Sequence, residues 1–198
     1  MEFEARAREG GAVLPVQADK LGNMIAAGGG GKYTDAALHG RLFYAANINM
    51  VATSVSLAGA FLGLGLCNPA GSGKLVIVHE FGYGHVVQAG AAGILALAVT
   101  TDTGFADDVN APIQCCRNGF ASSVCYTDED AAIDAPVIVK VISQFGVSAI
   151  TTMQPTMQVV DLGGSIILAP GRSVVTDTTT AHGADSAQYS FMWEEVDE

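Results

Sequence analysis

One glycine-rich segment ends in a lysine and therefore raises the question of phosphate binding, Gly71-Ser72-Gly73-Lys74. A phosphate-binding loop needs two glycines separated by four residues, then Lys and Ser or Thr, and a helix that begins at the loop. Here Asn68 stands at the first glycine position, Leu75 follows the lysine, and a strand-like run replaces the helix. The segment therefore predicts a turn that opens a strand, with Lys74 in water and no nucleotide site.

Two histidines have a spacing that would bring them to one face of a strand. His79 and His85 are six residues apart, and the two-residue repeat of a strand turns both to the same side and Glu80 to the other. A zinc site needs at least three protein ligands, and neither a His-Glu-x-x-His motif nor a His-x-His pair with a nearby Glu is present. The sequence predicts no metal site and no cofactor.

Acidic residues are concentrated between Asp102 and Asp134 and again at Glu194, Glu195, Asp197 and Glu198. Their spacing does not match the calcium loop of an EF-hand. The interpretation is that these carboxylates lie on solvated loops, and a calcium site is the alternative. The first group comprises Asp102, Asp107, Asp108, Asp128, Glu129, Asp130 and Asp134.

The four cysteines form no Cys-x-x-Cys pair, which excludes zinc-ribbon and thioredoxin-type motifs. Reduced thiols are expected, and the alternative is a disulfide from Cys115 or Cys116 to Cys125, with Cys67 left over. The chain also lacks the Gly-x-Ser-x-Gly nucleophile elbow. The sequence therefore predicts no catalytic residues, and a protein that is not an enzyme.

The elements that position these residues are mostly strands. From residue 50 onward, strand-like runs alternate with turn signals and no helical period intervenes, which excludes an α/β fold. We predict an all-β protein whose residues 35–198 form a jelly-roll-like antiparallel β-sandwich. A short helical turn is predicted over 36–39, and strands over 41–46, 51–57, 60–67, 74–83, 90–100, 123–126, 135–142, 148–153, 158–161, 165–168, 173–178 and 188–196.

The glycine-rich sequence of residues 1–34 predicts an extended arm outside the sandwich. Glycine loses more conformational entropy on ordering than any other residue, so such an arm needs a partner to hold it. The residues expected to anchor the arm to a capsid are Gly28, Gly29, Gly30, Gly31, Lys32 and Tyr33. An uncharged stretch, Met50 to Cys67, is long enough to span a bilayer, but its three glycines and its alternating Ser and Thr favour two buried strands. No membrane association is predicted.

The amino-acid composition of the chain limits the kinds of partner that it can bind. Only 15% of the residues are charged, whereas 49% are hydrophobic and 24 are glycine. Soluble domains usually have about 25% charged residues, so the low charge predicts that neighbouring subunits cover part of the surface. Nine Lys and Arg against twenty Asp and Glu give a net charge of -11. This field repels a phosphate backbone, so no nucleic-acid binding is predicted.

Three motifs together resemble a group of small bacteriophage virion proteins, over about residues 40 to 196. They are the turn Asn68-Pro69-Ala70-Gly71-Ser72-Gly73-Lys74 after a strand, the turn Ala169-Pro170-Gly171, and the closing strand Phe191-Met192-Trp193-Glu194-Glu195. The resemblance implies a jelly-roll virion component, such as a capsid decoration, cement or head-fibre subunit. It implies a homotrimer that binds the major capsid protein of the particle and assembles in the host cytoplasm. Its position on the particle stays open.

A receptor- or glycan-binding module on the virion surface is the alternative function. Such a site needs exposed aromatic rings with amides or carboxylates on loops. The only candidate loop lies between Thr101 and Asp134 and also contains Gln114 and Asn118. Its candidate binding residues are Phe105, Asn110, Phe120 and Tyr126.

Overall fold

The computed structural model divides the chain into two compact units, Met1–Asp35 and Ala36–Glu198. Strands of the first unit form two antiparallel pairs. These are β1 (Glu4–Ala5) with β2 (Leu14–Pro15), and β3 (Gln17–Ala18) with β4 (Met24–Ile25). The residues that the structure describes are 4–5, 14–15, 17–18, 24–25, 32–53, 63–85, 93–106, 108–130, 133–134, 136–145, 156–178 and 182–198.

In the part of the chain that the structure describes, the remaining elements are one short helix and eleven strands. The helix lies where the sequence predicts a helical turn, with Asp35 in its first turn. The elements are α1 (Thr34–Leu38), β5 (Leu42–Ala46), β6 (Val51–Thr53), β7 (Gly65–Asn68), β8 (Lys74–His85), β9 (Gly93–Thr100), β10 (Ile113–Cys115), β11 (Tyr126–Asp128), β12 (Val137–Phe145), β13 (Thr156–Leu168), β14 (Arg172–Thr178) and β15 (His182–Asp197).

These strands form two antiparallel sheets. The first has the order β10-β5-β15-β8-β13, with β6 paired to β15 beside this path, and the second has the order β11-β7-β14-β9-β12. Without the short strands β6, β10 and β11, eight strands remain, and numbered one to eight along the chain they lie as 1-8-3-6 and 2-7-4-5. This is the strand order of a jelly roll. The predicted all-β jelly-roll sandwich is confirmed.

The core lies between the two sheets and is rich in aromatic residues. Tyr189, Phe191 and Trp193 alternate along β15 and are buried, as their two-residue spacing predicts. Phe191 lies 5.1 Å from Phe81 on β8, and Trp193 stacks on Phe43 of β5 at 6.1 Å between ring centroids. Burying a large apolar side chain contributes about 1.5–3 kcal/mol. The core therefore fixes the register of the three central strands, because a shift by one residue would expose these rings.

Strand β13 differs from the prediction. The sequence predicts two strands, 158–161 and 165–168, whereas the structure has one strand with an irregular register between Asp161 and Ile166. Gly163 and Gly164 have φ values of 59° and 72° there, which glycine adopts at little cost. A Cβ at Gly164 would also lie 2.9 Å from Ile77 Cγ2 on the neighbouring strand. The glycines thus form a bulge within one strand instead of a turn between two.

Several strand ends meet at one end of the sandwich, where the joining segments share an unusual composition. His85 pairs with Thr156 in the first sheet and Phe145 with Gly93 in the second. Only three residues connect β14 to β15, so both sheets end on this side. The joining segments are 54–62, 86–92, 146–155 and 179–181, and none of them contains Asp, Glu, Lys, Arg or His. The predicted strand 148–153 lies outside the described residues.

Candidate binding surfaces

The largest loop region connects β9 to β12 and spans residues 101–136; we call it the insertion. Two side-chain hydrogen bonds tie its ends to the second sheet: Thr100 Oγ1 donates to the Asp134 carbonyl at 2.7 Å, and Ser173 Oγ donates to the Asp102 carbonyl at 2.6 Å. Its strand β10 extends the first sheet beside β5, and its strand β11 extends the second beside β7. The insertion is therefore anchored to both sheets.

The four residues predicted to form an exposed binding loop differ in their exposure. Phe105 is only 6% exposed and packs on Gly65 within the second sheet. The exposure expected of Phe105 is therefore wrong, and the reason is that the missing side chain of Gly65 leaves room for its ring. Phe120 is 51% and Tyr126 38% exposed, while Asn110 is half-buried. Phe105 has polar neighbours in the sequence, and this local pattern does not indicate that its side chain is buried.

Phe120 lies in the chain between Gly119 and Ala121, which both line a polar depression. The Arg117 guanidinium covers its ring at 4.0 Å, and Arg117 Nη1 donates to the Leu38 carbonyl at 2.6 Å. Gly40 lies against the same ring. The adjoining depression of about 350 Å³ is lined partly by amide and hydroxyl side chains, namely Gln114, Asn118, Ser122 and Ser123. Gln114 and Asn118 belong to the loop predicted from the sequence, whereas Ser122 and Ser123 were not predicted, because only the fold brings 114 and 123 together.

A buried carboxylate supports the floor of this depression. Glu195 of β15 is 5% exposed, and it accepts hydrogen bonds from Ser123 Oγ, from the Val124 amide at 3.3 Å and from Trp193 Nε1 at 3.2 Å. All four cysteines are free thiols. Burial, and then the charge of Glu195, raise the pKa of the nearby Cys125 thiol far above its usual range. Cys125 is therefore protonated at neutral pH and is a poor nucleophile.

Three carboxylates of the insertion converge. One oxygen from each of Asp108, Asp128 and Asp130 lies within 4.8 Å of the others, and this is the one group of possible metal ligands found in the described part of the chain. A hydrogen bond to Asp128 and the charges of Asp128 and Asp108 raise the pKa of Asp130. Asp128 is buried and accepts from the amides of Ala106 and Asp130, so it does not lie on a solvated loop as expected. Calcium takes six to eight oxygens, so these three side chains alone do not complete a site.

The glycine-rich segment that ends in Lys74, and His79, were singled out by their spacing in the sequence, and both form contacts within the fold. Lys74 Nζ lies 2.6 Å from Asp197 Oδ1 at the start of β8, so the glycine-rich segment is a turn that opens a strand, as predicted. Asn68 stabilises this turn by donating to the Lys74 and Leu168 carbonyls at 2.8 and 2.9 Å. His79 Nε2 lies 3.5 Å from Glu194 Oε2 on the outer face of the first sheet.

Exposed apolar side chains are concentrated on β12 and β13, which are the last strands of their sheets. Their exposed fractions range from 47% to 82%. A depression of about 380 Å³ is lined by both Val137 of β12 and Ile167 of β13, so the two strands border one side of the sandwich. We call this side the edge surface; its residues are Val137, Ile138, Val139, Val141, Met157, Val159 and Ile167.

A shallow trough continues the edge surface across the first sheet. Gly82 and Gly84 of β8 form its floor, and Met157 and Val159 of β13 form one wall around about 200 Å³. The space above Gly84 is open, because a Cβ there would meet no atom within 4 Å. The apolar surface therefore extends beyond the strand edge onto the sheet face.

The predicted anchor of the arm is described only in part. Gly28, Gly29, Gly30 and Gly31 lie outside the described residues. Lys32 is exposed, and its ammonium lies 4.9 Å from the centre of the half-buried Tyr33 ring. The anchoring role of the arm stays a prediction.

Comparisons with family models, with curated proteins and with solved structures found no match to this chain. No helix among the described residues is long and apolar enough to cross a membrane.

Proposed function

We propose that this chain is a non-enzymatic virion structural protein, a capsid decoration or cement protein that binds and stabilises the capsid lattice. The observation that carries the proposal is the edge surface. Soluble monomers rarely expose a contiguous apolar patch of more than a few hundred Å², and larger patches mark sites of protein association. An architectural subunit needs such surfaces, whereas an enzyme needs a concave site with convergent polar groups.

The jelly-roll fold narrows the possibilities. It occurs in viral capsid proteins, in lectins and in metal-binding cupins, and a fold alone does not decide between them. A cupin uses the space between its sheets, but here that space contains packed rings such as Phe43, Phe81, Phe191 and Trp193. Function therefore belongs to the outer surfaces, which favours the architectural and the lectin-like roles.

In the proposed role the chain forms a homotrimer and binds the major capsid protein. The arm, residues 1–34, lies across neighbouring capsid subunits and exchanges its conformational freedom for contacts there. The low proportion of charged residues, 15%, supports a protein whose surface is partly covered by neighbours.

The test is co-sedimentation of the purified chain with capsids of its own particle that lack it. We expect saturable binding and a higher temperature of capsid disassembly. Deletion of residues 1–31 is expected to abolish attachment and to leave the sandwich folded, because the core belongs to residues 36–198. Absence of binding by the full chain would refute the proposed function, and full occupancy by the shortened chain would refute the role of the arm.

The second candidate is a glycan-binding module, and the observation that favours it is the half-exposed Phe120 beside the polar depression. Sugar recognition commonly combines an aromatic face with amide and hydroxyl groups. A glycan array with the full chain is the test. Hits that are lost in Asn118→Ala and kept in Val109→Ala would support this function, because Val109 is exposed on the same insertion. Asn118 is the better target than Phe120, whose ring also packs on Gly40. An array without reproducible hits would contradict it.

A further inference from the structure

We infer that Asn118 is a site of spontaneous covalent modification, where the side-chain amide leaves as ammonia and a carboxylate replaces it. Asn118 lines the polar depression of the insertion. The inference goes beyond the proposed function, because the modification needs only water and the chain itself.

The reaction joins two neighbouring residues. The backbone nitrogen of Gly119 gives its proton to hydroxide and attacks the carboxamide carbon of Asn118, Cγ. A bond forms between this nitrogen and Cγ, the bond from Cγ to Nδ2 breaks, and Nδ2 takes up a proton and leaves as ammonia. The product is a cyclic imide, which one water molecule opens at either carbonyl to give aspartate or isoaspartate. The attack is intramolecular, so the reacting atoms need not find each other by diffusion.

The residue after an asparagine limits this attack, because its side chain crowds the closing ring. Glycine has no Cβ and therefore crowds it least. Of the six asparagines in the chain, only Asn118 precedes a glycine. Asn68 precedes Pro69, which has no N–H and cannot supply the nitrogen. The other four precede isoleucine, methionine or alanine.

The fold leaves the reacting groups of Asn118 and Gly119 accessible to water. They are the two central residues of a turn, which the Phe120 amide closes by donating to the Arg117 carbonyl at 3.0 Å. Both central residues are exposed, and a Cβ placed on Gly119 would meet no atom within 4 Å. Hydroxide can therefore reach the nitrogen, and the imide ring has room to form.

Hydrogen bonding also distinguishes Asn118 from the asparagines inside the fold. Within the described ranges, neither its carboxamide nor the Gly119 amide forms a hydrogen bond. Asn47 is buried, and its Nδ2 donates to the Gly63 carbonyl at 2.9 Å and to Glu129 Oε2 at 2.8 Å. Loss of that amide would break both bonds, whereas loss of the Asn118 amide breaks none of this kind.

The residues that flank the turn oppose the reaction in part. Arg117 Nη1 donates to the Leu38 carbonyl at 2.6 Å, and the Phe120 ring packs against Gly40. These contacts restrict the backbone rotation that brings the Gly119 nitrogen to Cγ. We therefore expect the folded chain to react more slowly at Asn118 than the unfolded chain, and faster there than at its other asparagines.

The product changes the polar depression. A carboxamide both donates and accepts hydrogen bonds, whereas a carboxylate only accepts them. The net charge of the chain changes from -11 to -12. Isoaspartate also lengthens the backbone by one methylene group, which separates the Phe120 amide from the Arg117 carbonyl. Modified copies therefore differ from new ones in the charge and the shape of this surface.

Peptide mapping by mass spectrometry tests the site, on the full chain kept in buffer made with water labelled with oxygen-18. We expect the Asn118 peptide to exchange its NH₂ for one labelled oxygen and to separate into an aspartate and an isoaspartate form. The rate should be about tenfold higher at pH 8 than at pH 7, because ionisation of the attacking nitrogen follows the hydroxide concentration. Asn49 is the internal control, because it is exposed but precedes Met50, and its peptide should stay unmodified.

Two variants complete the test. Asn118→Gln keeps an amide at this exposed position and should remain unmodified, because its longer side chain closes a less favourable ring. Asn118→Asp is the charge standard, and modified wild type should elute with it in ion exchange. Gly119→Ala is less suitable, because Gly119 has a φ of 71°, which strains any residue with a Cβ.

The same incubation of the chain unfolded in urea provides the reference rate. An Asn118 peptide that stays unmodified in the folded chain, under conditions that modify the unfolded chain completely, would overturn the inference. Equal rates at Asn118 and Asn49 in the folded chain would overturn the part assigned to Gly119 and the turn. These samples contain no capsid, so either failure leaves the proposed function standing.

Discussion

At the scale of single residues, the insertion contains a local conflict between like charges. Asp130 shares a hydrogen bond with Asp128 and faces the charges of Asp128 and Asp108, and these raise its pKa above the ordinary value of 3.8. The folded state therefore holds this proton more tightly than the unfolded state does. The resulting stability is present at pH values below 3.8 and is lost as pH rises through the raised pKa.

We expect Asp130→Asn to stabilise the protein slightly at pH 7. The side chain is exposed, so the gain is a few tenths of a kcal/mol and the melting temperature rises by about 1 °C. The variant should also lose part of the dependence of stability on pH, measured by thermal unfolding from pH 7 down to pH 5. A lower melting temperature at pH 7 would contradict the expected repulsion between these carboxylates and would show that the Asp130 carboxylate stabilises the fold.

Asp197 is a control for Asp130, because its pKa is shifted in the opposite direction. A hydrogen bond from Lys74 and the charge of Lys74 lower the pKa of Asp197. Its stabilising effect is present above the ordinary pKa of 3.8 and is lost as pH falls through the lowered value. Asp197→Asn is therefore expected to lower the melting temperature at pH 7, whereas Asp130→Asn raises it.

At the scale of elements, alternation of apolar and polar residues predicts the central strands well. Strand β15 was predicted from this pattern and its inward residues belong to the core, whereas β8 and β14 were predicted as strand-like runs between turn signals. The short strand β10 was missed, because Ile113–Cys115 is too brief to show a period and pairs with β5 only through the fold. Strand β13 was divided in two, because Gly163 and Gly164 signal a turn and a bulge equally well.

The edge surface could not be predicted from the sequence, although the strands that form it were. The run Val137-Ile138-Val139 has the composition of a buried strand, yet all three side chains are about half exposed or more. Whether such a strand is covered depends on its neighbours on both sides, and β12 has only β9. Its exposure follows from pairing between residues far apart in the chain, which local pattern does not encode.

At the scale of the whole molecule, charge is distributed unevenly between the ends of the sandwich. The segments 54–62, 86–92, 146–155 and 179–181 contain no charged residue, and they join strand ends at one end. The insertion, with its three converging carboxylates, leaves and rejoins the second sheet at Thr100 and Val137, which are the opposite ends of β9 and β12. Copies that approach through the end without charged segments bring few charges together, but their net charges of -11 still repel.

Apolar attraction and charge repulsion between copies oppose each other, so salt is expected to change the stability of the proposed trimer. Three copies of net charge -11 repel one another even when they are not in contact. Burial of apolar side chains between copies acts only at contact and is insensitive to moderate salt. The Debye length falls from about 10 Å at 0.1 M to about 3 Å at 1 M ionic strength, so the repulsion is screened and the trimer should tighten. Sedimentation of a dilution series at 0.05 and 0.5 M sodium chloride measures the dissociation constant. Dissociation at the higher salt would show that ion pairs, and not apolar burial, hold the copies together.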